Sequence, residues 1–245
     1  MKKTLKFIVM VCAAALLFSS CDKNKGKYVT YYQSTVTVKK TADGGFFMKQ
    51  DDTTALVSSN LSKYPFDEKS QEKRALIIYS VNEAAKPAPI KGFKNTYSVV
   101  LNTLDTIYSK KPVQTLGSPE KDIKAFGNDN MGLYLTREVF PTTMIEDGYL
   151  MMRFAFYGSG YVTHEFNLVT GGNPANPYSV EVRHNANGDD PVINYTGIIC
   201  FPLKSLPDTQ GKTVDLTLVW NSMVSAGKDS TTFKYCSRTD WPENL

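Results

Sequence analysis

The segment from His184 to Asp190 concentrates side chains that could do chemistry. Oxygen-bearing residues alternate along it, as in half of a calcium-binding loop, and the candidate ligands are Asn185, Asn187, Asp189 and Asp190. The loop lacks the distal bidentate glutamate of an EF-hand, and Asn187-Gly188 is a typical pair for a tight hairpin turn. We therefore predict a structural turn with solvated aspartates. Calcium is the alternative, and no other cofactor is expected.

The chain contains two histidines. His164 shares a strand face with Val162 and Phe166, and no cysteine, aspartate or second histidine accompanies it in the sequence. This pattern favours a core histidine with a satisfied hydrogen bond over a catalytic base or a metal ligand. His184 ends a predicted strand at the point where the turn begins, so it is a candidate ligand-binding residue.

Ser159 lies between Gly158 and Gly160, which raises the question of a serine nucleophile. A nucleophile elbow requires Gly-x-Ser-x-Gly between a strand and a helix, whereas Ser159 is expected at a hairpin tip. The sequence also lacks a zinc-protease helix motif, a P-loop and a dinucleotide-binding fingerprint. A hydrolase stays an alternative to a non-enzymatic protein, because two carboxylates could still meet in space as they do in glycosidases.

Four aromatic residues near the N-terminus form a candidate ligand-binding cluster across one hairpin, namely Tyr31, Tyr32, Phe46 and Phe47. Such rings can stack on bases or sugars in small barrels, although half of them must build the core. Removing the three lysines of residues 1–20 lowers the formal net charge from +4 to +1, which is too balanced for a nucleic-acid surface. We expect a protein or glycan ligand and no nucleic acid.

The elements that position these residues are predicted to be strands. Aromatic residues make up 12% of the sequence, a composition that suits pleated, half-buried surfaces. Five short strands in residues 28–115, with a turn at Asp43-Gly44-Gly45, predict a small barrel of the oligonucleotide/oligosaccharide-binding (OB) type. Residues 116–128 are rich in turn formers and predict a linker. Residues 129–245 predict an immunoglobulin-like β-sandwich of about seven strands, and no helix of clear length is predicted after the signal.

The strongest local pattern predicts a hairpin of residues 149–157 and 161–169. Pairing across Gly158-Ser159-Gly160 would place Leu150 opposite Leu168 and make one face almost wholly apolar. The same register would place Arg153 opposite Glu165 as a cross-strand ion pair on the other face.

Residues 1–20 have the form of a lipoprotein export signal. Three lysines precede an apolar run from Phe7 to Phe18, which is too short to span a bilayer as a helix. The following Phe18-Ser19-Ser20-Cys21 resembles a bacterial lipobox, although leucine or valine is usual at its first position. We expect cleavage before Cys21, acyl chains on Cys21 and a flexible tether over residues 21–27. The tether after Cys21 carries three lysines and a single acidic residue, Asp22, which favours a periplasm-facing position.

Two cysteines besides Cys21 remain after signal removal, Cys200 and Cys236. Export places them in a compartment that permits disulfides, so they can pair. The alternative is two unpaired thiols that act as small hydrophobic side chains.

Several stretches of the chain resemble NigD-like lipoproteins, namely residues 46–56, 74–79, 97–112, 181–189 and 195–201. The resemblance covers nearly the whole mature chain. It implies an N-terminal OB-type domain and a C-terminal β-sandwich, and it carries over no catalytic residue. The family takes its name from a gene in a bacteriocin locus.

The sequence thus predicts a non-enzymatic lipoprotein of the Gram-negative cell envelope that is anchored to a membrane by acyl chains and acts as a binding or scaffolding module. The alternatives are a bacteriocin-associated immunity or export accessory protein and a periplasmic hydrolase.

Overall fold

The computed structural model describes residues 29–41, 43–64, 72–136 and 138–242. The predicted export signal, Cys21 and the predicted tether lie outside these residues. Among the helices described, none is long and apolar enough to cross a membrane. The chain divides into two compact units after Thr106.

The first unit is a closed barrel of five strands in the order β1-β2-β3-β5-β4. The strands are β1 (Tyr32–Lys40), β2 (Phe46–Lys49), β3 (Thr54–Ser58), β4 (Glu72–Val81) and β5 (Asn95–Thr106). Neighbouring strands are antiparallel except β3 and β5, whose parallel pairing completes the ring. The predicted five-stranded OB-like barrel is confirmed.

Alternating apolar residues build the core of the barrel, as the period of a strand requires. Val36 lies opposite Ala75 in the pairing of β1 with β4, and both are fully buried. The turn between β1 and β2 contains Gly44 with a φ of 85°, a conformation that glycine adopts without steric cost.

The second unit is a sandwich of two sheets. Its elements are β6 (Val113–Gln114), α1 (Pro119–Phe126), β7 (Gly132–Leu133), β8 (Met144–Glu146), β9 (Tyr149–Gly158), β10 (Glu165–Thr170), β11 (Ser179–Asn185), β12 (Ile193–Pro202), β13 (Val214–Asn221) and β14 (Lys228–Tyr235). One sheet has the order β14-β13-β11-β10-β6, and the other has the order β12-β9-β7 with β8 also paired to β9. The predicted β-sandwich is confirmed.

The core of the second unit lies between these two sheets. Leu150, Met152 and Phe154 of β9 meet Leu168 of β10 and Leu218 of β13 there, and all five are buried. Burial of apolar surface on this scale is the main stabilising contribution to such a domain.

The segment predicted as a linker, residues 116–128, contains the helix α1. Ser118 caps its N-terminus by accepting a hydrogen bond from the backbone N–H of Lys121, and Pro119 occupies its first turn. Gly127 ends the helix with a φ of 84°. The buried Asp122 carboxylate accepts bonds of 2.7 Å from the Thr115 hydroxyl and the Leu116 N–H, which ties the helix to the sandwich. The division between the units therefore falls before this segment, and β6 and α1 belong to the second unit.

The predicted hairpin of β9 and β10 is wrong, because these strands lie in different sheets. β9 pairs with β12, with Phe154 opposite Gly197, whereas β10 pairs with β11, with Phe166 opposite His184. The chain after Gly158 crosses from one sheet to the other. The apolar faces of both strands nevertheless line the same core, because alternation defines the buried face of a strand and not its neighbour.

The predicted ion pair of Arg153 with Glu165 is wrong for the same reason. Glu165 lies opposite Asn185 in β11. The Arg153 guanidinium lies 4.5 Å from the ring centroid of Tyr134 and donates to the carbonyl of Pro141 at 3.3 Å.

Candidate functional site

One end of the sandwich brings together four strand termini and their loops. β9 ends at Gly158, β10 begins after His164, β11 ends in the turn after His184, and β12 begins at Ile193 opposite Gly158. Because β10 and β11 are antiparallel neighbours, His164 lies beside His184, which is opposite Phe166. The polar side chains at this end form a single connected chain.

The chain of hydrogen bonds runs from Asp189 through both histidines to the backbone. His164 Nε2 lies 3.0 Å from Asp189 Oδ2, and His164 Nδ1 lies 2.8 Å from His184 Nε2. His184 Nδ1 lies 3.1 Å from the carbonyl oxygen of Asn130. The side chains of His164 and Asp189 are 4% and 3% exposed, so the whole chain is shielded from water.

The acceptors at the two ends fix two of the proton positions. A carbonyl oxygen and a carboxylate oxygen only accept, so His184 Nδ1–H donates to Asn130 and His164 Nε2–H donates to Asp189. The bond between His164 Nδ1 and His184 Nε2 requires one further proton on either of these nitrogens. All three bonds therefore exist together when the two rings share three protons, which gives the histidine pair one positive charge opposite the Asp189 carboxylate.

Ser159 donates hydrogen bonds to both oxygens of the Asp189 carboxylate. The backbone N–H of Ser159 donates to Asp189 Oδ2 at 2.7 Å, and its hydroxyl donates to Asp189 Oδ1. The hydrogen bonds from Ser159 and then from His164 lower the pKa of Asp189 from 3.8 to about 2. Asp189 is therefore a carboxylate at neutral pH.

His184 is buried under aromatic rings. Its imidazole stacks on Phe166 with ring centroids 4.5 Å apart and planes within 2° of each other. Burial lowers the pKa of His184 below 6.5, although the bond to the Asn130 carbonyl acts in the opposite direction. Burial therefore favours the neutral form of His184, in which its Nε2 accepts from His164 Nδ1–H.

The sequence places these groups through two local features. Asn187 and Gly188 have φ angles of 52° and 76°, so the predicted tight turn is formed and returns the chain to Asp189. A Cβ at Gly158 would lie 2.8 Å from Asp189 Oδ2 and 2.9 Å from His164 Nε2. Glycine is therefore required at the end of β9 for the ion pair to pack against the backbone.

An apolar cavity of about 230 Å³ opens beside this polar chain. Its aromatic walls are Phe154, Phe156, Phe166 and Tyr195, and His164 contributes one further ring. Phe156 stacks on Tyr195 at 5.7 Å and contacts the His164 ring at 4.6 Å between centroids. The Gly158–Gly160 loop and Val162 complete the lining.

The site contains a serine, a histidine and an aspartate, but they are connected in an order that does not activate the serine. A nucleophilic serine donates to histidine, which in turn is held by aspartate. Here Ser159 donates to Asp189 itself, and His164 contacts the other oxygen of that carboxylate. Both ring nitrogens of His164 are engaged. This arrangement fixes Asp189 and His164 beside the cavity and does not provide a base for Ser159.

The oxygen atoms proposed for calcium point to separate partners. Asn185 Oδ1 accepts a hydrogen bond from the backbone N–H of Asn187. The side-chain amide of Asn187 donates to the Thr163 carbonyl. Asp189 is buried against Ser159 and His164, which differs from the expected solvated aspartate, whereas Asp190 is exposed. Within the described ranges, no group of three or more His, Cys, Asp or Glu side chains is placed to hold a metal ion.

The four aromatic residues predicted as a ligand cluster are divided among different contacts. Tyr32 and Phe46 pack against the core of the barrel, and Tyr32 stacks on Tyr79 at 5.6 Å. Phe47 is buried against Phe93, with ring centroids 5.5 Å apart. Tyr31 is partly exposed. Core packing therefore accounts for at least two of the four.

The structure does not join Cys200 to Cys236. Cys200 is fully buried in β12, whereas Cys236 is exposed after the end of β14 in the other sheet. The Cys236 sulfur lies 3.6 Å from the Thr209 hydroxyl, which donates to it. Cys21, the predicted lipidation site, lies outside the described residues.

Reasoning from the sequence placed His184 among the candidates but did not connect it to Ser159 and His164. The predicted β9–β10 hairpin concealed the connection, since it gave His164 a partner in the wrong sheet. Pairing β10 with β11 instead sets Phe166 opposite His184, and both histidines then fall on one face. That alternative register was the signal in the sequence that would have revealed the cluster.

The comparisons with known proteins agree with this two-domain architecture. The NigD-like N-terminal OB domain matches residues 35–107, and the NigD-like C-terminal β-sandwich domain matches residues 113–235. No curated protein is similar to the chain at a significant level.

Several solved structures share the fold across both domains. A protein described as toxin-related from Parabacteroides distasonis is 26% identical, with a TM-score of 0.67 over 84% of this chain and 94% of its own. A protein of unknown function from Bacteroides vulgatus is 20% identical, with a TM-score of 0.62 over 84% of this chain and 91% of its own. A NigD-like immunity protein from Bacteroides caccae is 18% identical, with a TM-score of 0.59 over 83% and 96%. Because the two domain models together match most of its length, the chain belongs to the NigD-like family.

Proposed function

We propose that this NigD-like protein is a non-enzymatic, lipid-anchored binding module of the Gram-negative cell envelope, and that its sandwich domain contacts the ligand. The observation that carries the proposal is the open aromatic cavity above the buried Asp189–His164–His184 chain. Binding pockets are typically apolar and concave, with a few fixed polar groups. The order of Ser159, Asp189 and His164 supports binding over hydrolysis, because the serine donates to the carboxylate.

The anchor follows from the lipobox-like Phe18-Ser19-Ser20-Cys21 and the apolar run before it. The expected ligand is a protein or a glycan of the envelope, and the expected position faces the periplasm.

Photo-crosslinking in intact cells tests whether the sandwich end meets a partner. The photoreactive residue p-benzoylphenylalanine replaces Tyr161, which is 94% exposed between the cavity-lining Gly160 and Val162. The matched control carries it in place of Ala175, which is exposed in the loop between β10 and β11, at the opposite end of these strands from His164 and His184. We expect a discrete crosslinked product from position 161 and none from position 175. Equal patterns from both positions, or none at all, would contradict a binding role for this end.

The second candidate is an immunity-type role. It is favoured by the family match and by similarity to structures that are named as a NigD-like immunity protein and a toxin-related protein. Deleting the gene distinguishes it, since loss of immunity would sensitise cells to a toxic peptide from neighbouring bacteria, and re-expression of the intact gene would restore resistance.

A further inference from the structure

We propose that the sandwich cavity binds one uncharged, ring-sized apolar group, such as a phenyl, phenol or indole ring. The ring can belong to a small molecule or to a side chain of a protein partner. This inference rests on the proposed binding function and specifies the chemistry of the group bound at the same site.

The size of the cavity selects a single ring system. Its volume of about 230 Å³ exceeds the roughly 150 Å³ of an engineered protein cavity that binds benzene, so one ring or a fused pair fits. The aromatic walls are in mutual contact, because Phe154 and Phe166 have ring centroids 4.1 Å apart and Phe156 and Phe166 have centroids 5.4 Å apart. A bound ring would therefore meet a preformed aromatic surface, with offset or edge-to-face packing available.

The hydrogen bonds beneath the cavity select an uncharged group. Both nitrogens of His164 and both oxygens of Asp189 already have partners. An ionic group entering the cavity would lose its hydration and gain no ion pair from these residues, which is costly in apolar surroundings. Tyr195 also lines the cavity, and a phenol can pair with a hydroxyl or N–H on the ring.

Exposed apolar residues adjoin the residues that line the cavity. Tyr161 lies in the loop between Gly160 and Val162, and Ile193 lies opposite Gly158. Both side chains are exposed, as is the neighbouring Val192. Exposed apolar residues grouped at a concave site are typical of binding surfaces. They would cover the part of a ligand that protrudes from the mouth.

Calorimetric titration tests the proposal with the full mature chain carrying Cys21→Ser, which removes the need for detergent. Indole and p-cresol are the neutral probes, and benzoate and benzylammonium are the charged probes of similar size. We expect saturable binding of the neutral probes with dissociation constants of about 1 mM or tighter. The charged probes should bind at least about tenfold more weakly. Absence of saturable binding, or equal affinity for benzylammonium, would overturn the proposal.

A variant that fills the cavity shows where the probe binds. Val162→Trp places a large side chain on the cavity wall and should weaken indole binding at least tenfold. Ala175→Trp should leave it unchanged, because Ala175 is exposed in the loop between β10 and β11, at the opposite end of these strands from His164 and His184. If the melting temperature of Val162→Trp lies well below that of the wild type, Val162→Phe is used in its place. Indole binding that both position 162 variants leave intact would overturn the proposal.

The source of the ring is distinguished by N-acetyltryptophanamide, which carries the indole on a peptide backbone. Binding comparable with that of indole supports a partner side chain. If indole binds and N-acetyltryptophanamide does not, the result supports a small molecule as the source of the ring. If the crosslink from position 161 forms but no neutral ring binds, the binding function stands and the inference about ring chemistry fails.

Discussion

At the scale of single residues, the hydrogen bonds at this end of the sandwich depend on how many protons the two histidines carry. Three hydrogen bonds in series, from Asp189 to the Asn130 carbonyl, require three protons on the two histidines. Buried polar groups of this kind are stabilising when every member has a partner, and each broken link leaves a costly unpaired group.

Nitrogen-15 NMR of the imidazoles at neutral pH checks this count. We expect three nitrogen-bound protons on the two rings, with His184 Nδ1 and His164 Nε2 both protonated. The exchange of these protons should be slow, because both rings are buried. Only two protons on the two rings, or an unprotonated His184 Nδ1, would contradict the chain as described.

The lowered pKa of Asp189 predicts a pH dependence. A carboxyl with a pKa of about 2 in the folded state and 3.8 in the unfolded state favours folding above about pH 4, and this contribution is lost as the pH falls through 2. Asp189→Asn should therefore be less stable than the wild type at pH 5, and the difference should shrink toward pH 2. Urea denaturation at a series of pH values measures it. Asp190→Asn, at an exposed position, is the control and should match the wild type throughout. A constant difference for Asp189→Asn would argue against the ion pair.

Gly158 sets the space for the ion pair. Gly158→Ala should destabilise the protein by about 1 to 3 kcal/mol, because its Cβ would overlap Asp189 and His164. Gly172→Ala is the matched control, since its Cβ would meet nothing within 4 Å. Equal melting temperatures of the two variants would show that the end of β9 is looser than the structure has it.

At the scale of secondary-structure elements, the sequence predicted which face of each strand is buried better than it predicted which strands pair. The strands of the barrel were readable because short turns connect β1 to β2 and because Val36 and Val38 alternate with polar residues. The pairing of β9 could not be read in this way. Its inward residues Leu150 and Met152 suit either a hairpin partner or an opposing sheet. The crossover of the chain after Gly158 determines which strand pairs with β9, and this crossover is a tertiary feature.

The helix α1 was missed for a different reason. Ser118, Pro119 and Gly127 are a capping residue, a first-turn proline and a terminal glycine, and these were interpreted as linker composition. Only two turns separate the caps, and so short a helix depends on packing that is absent from the sequence pattern.

Engineered disulfides test the corrected strand neighbours. Tyr157 lies opposite Asn194 in the β9–β12 pairing, so the double substitution Tyr157→Cys and Asn194→Cys should crosslink on oxidation. Arg153→Cys with Glu165→Cys is the control, and it should stay reduced because its strands lie in different sheets. Mass measurement before and after reduction detects the bond. The reverse outcome would restore the β9–β10 hairpin.

At the scale of the whole molecule, an OB barrel and a β-sandwich follow a proposed export signal, and Cys21 is the proposed anchor. The family and both fold classes could be predicted from the sequence, since strand alternation and turn residues are local. The site could not, because Ser159, His164 and Asp189 converge only through the sheet topology.

The anchor has its own test. Cys21→Ala should move the protein from the membrane fraction to the soluble fraction, because acylation of the cysteine provides the stable attachment. Protein that still sediments with membranes after a salt wash would contradict the lipoprotein proposal. Protease treatment of whole cells checks the orientation, and the periplasm-facing position predicts protection.

The central claim is that the end of the sandwich is a binding cavity, and NMR titration of the full mature chain with indole tests it most directly. We predict saturable shifts concentrated at Phe156, His164 and Tyr195, with resonances of the barrel unchanged. Shifts confined to the barrel, or no saturable shift at these three residues, would contradict the account.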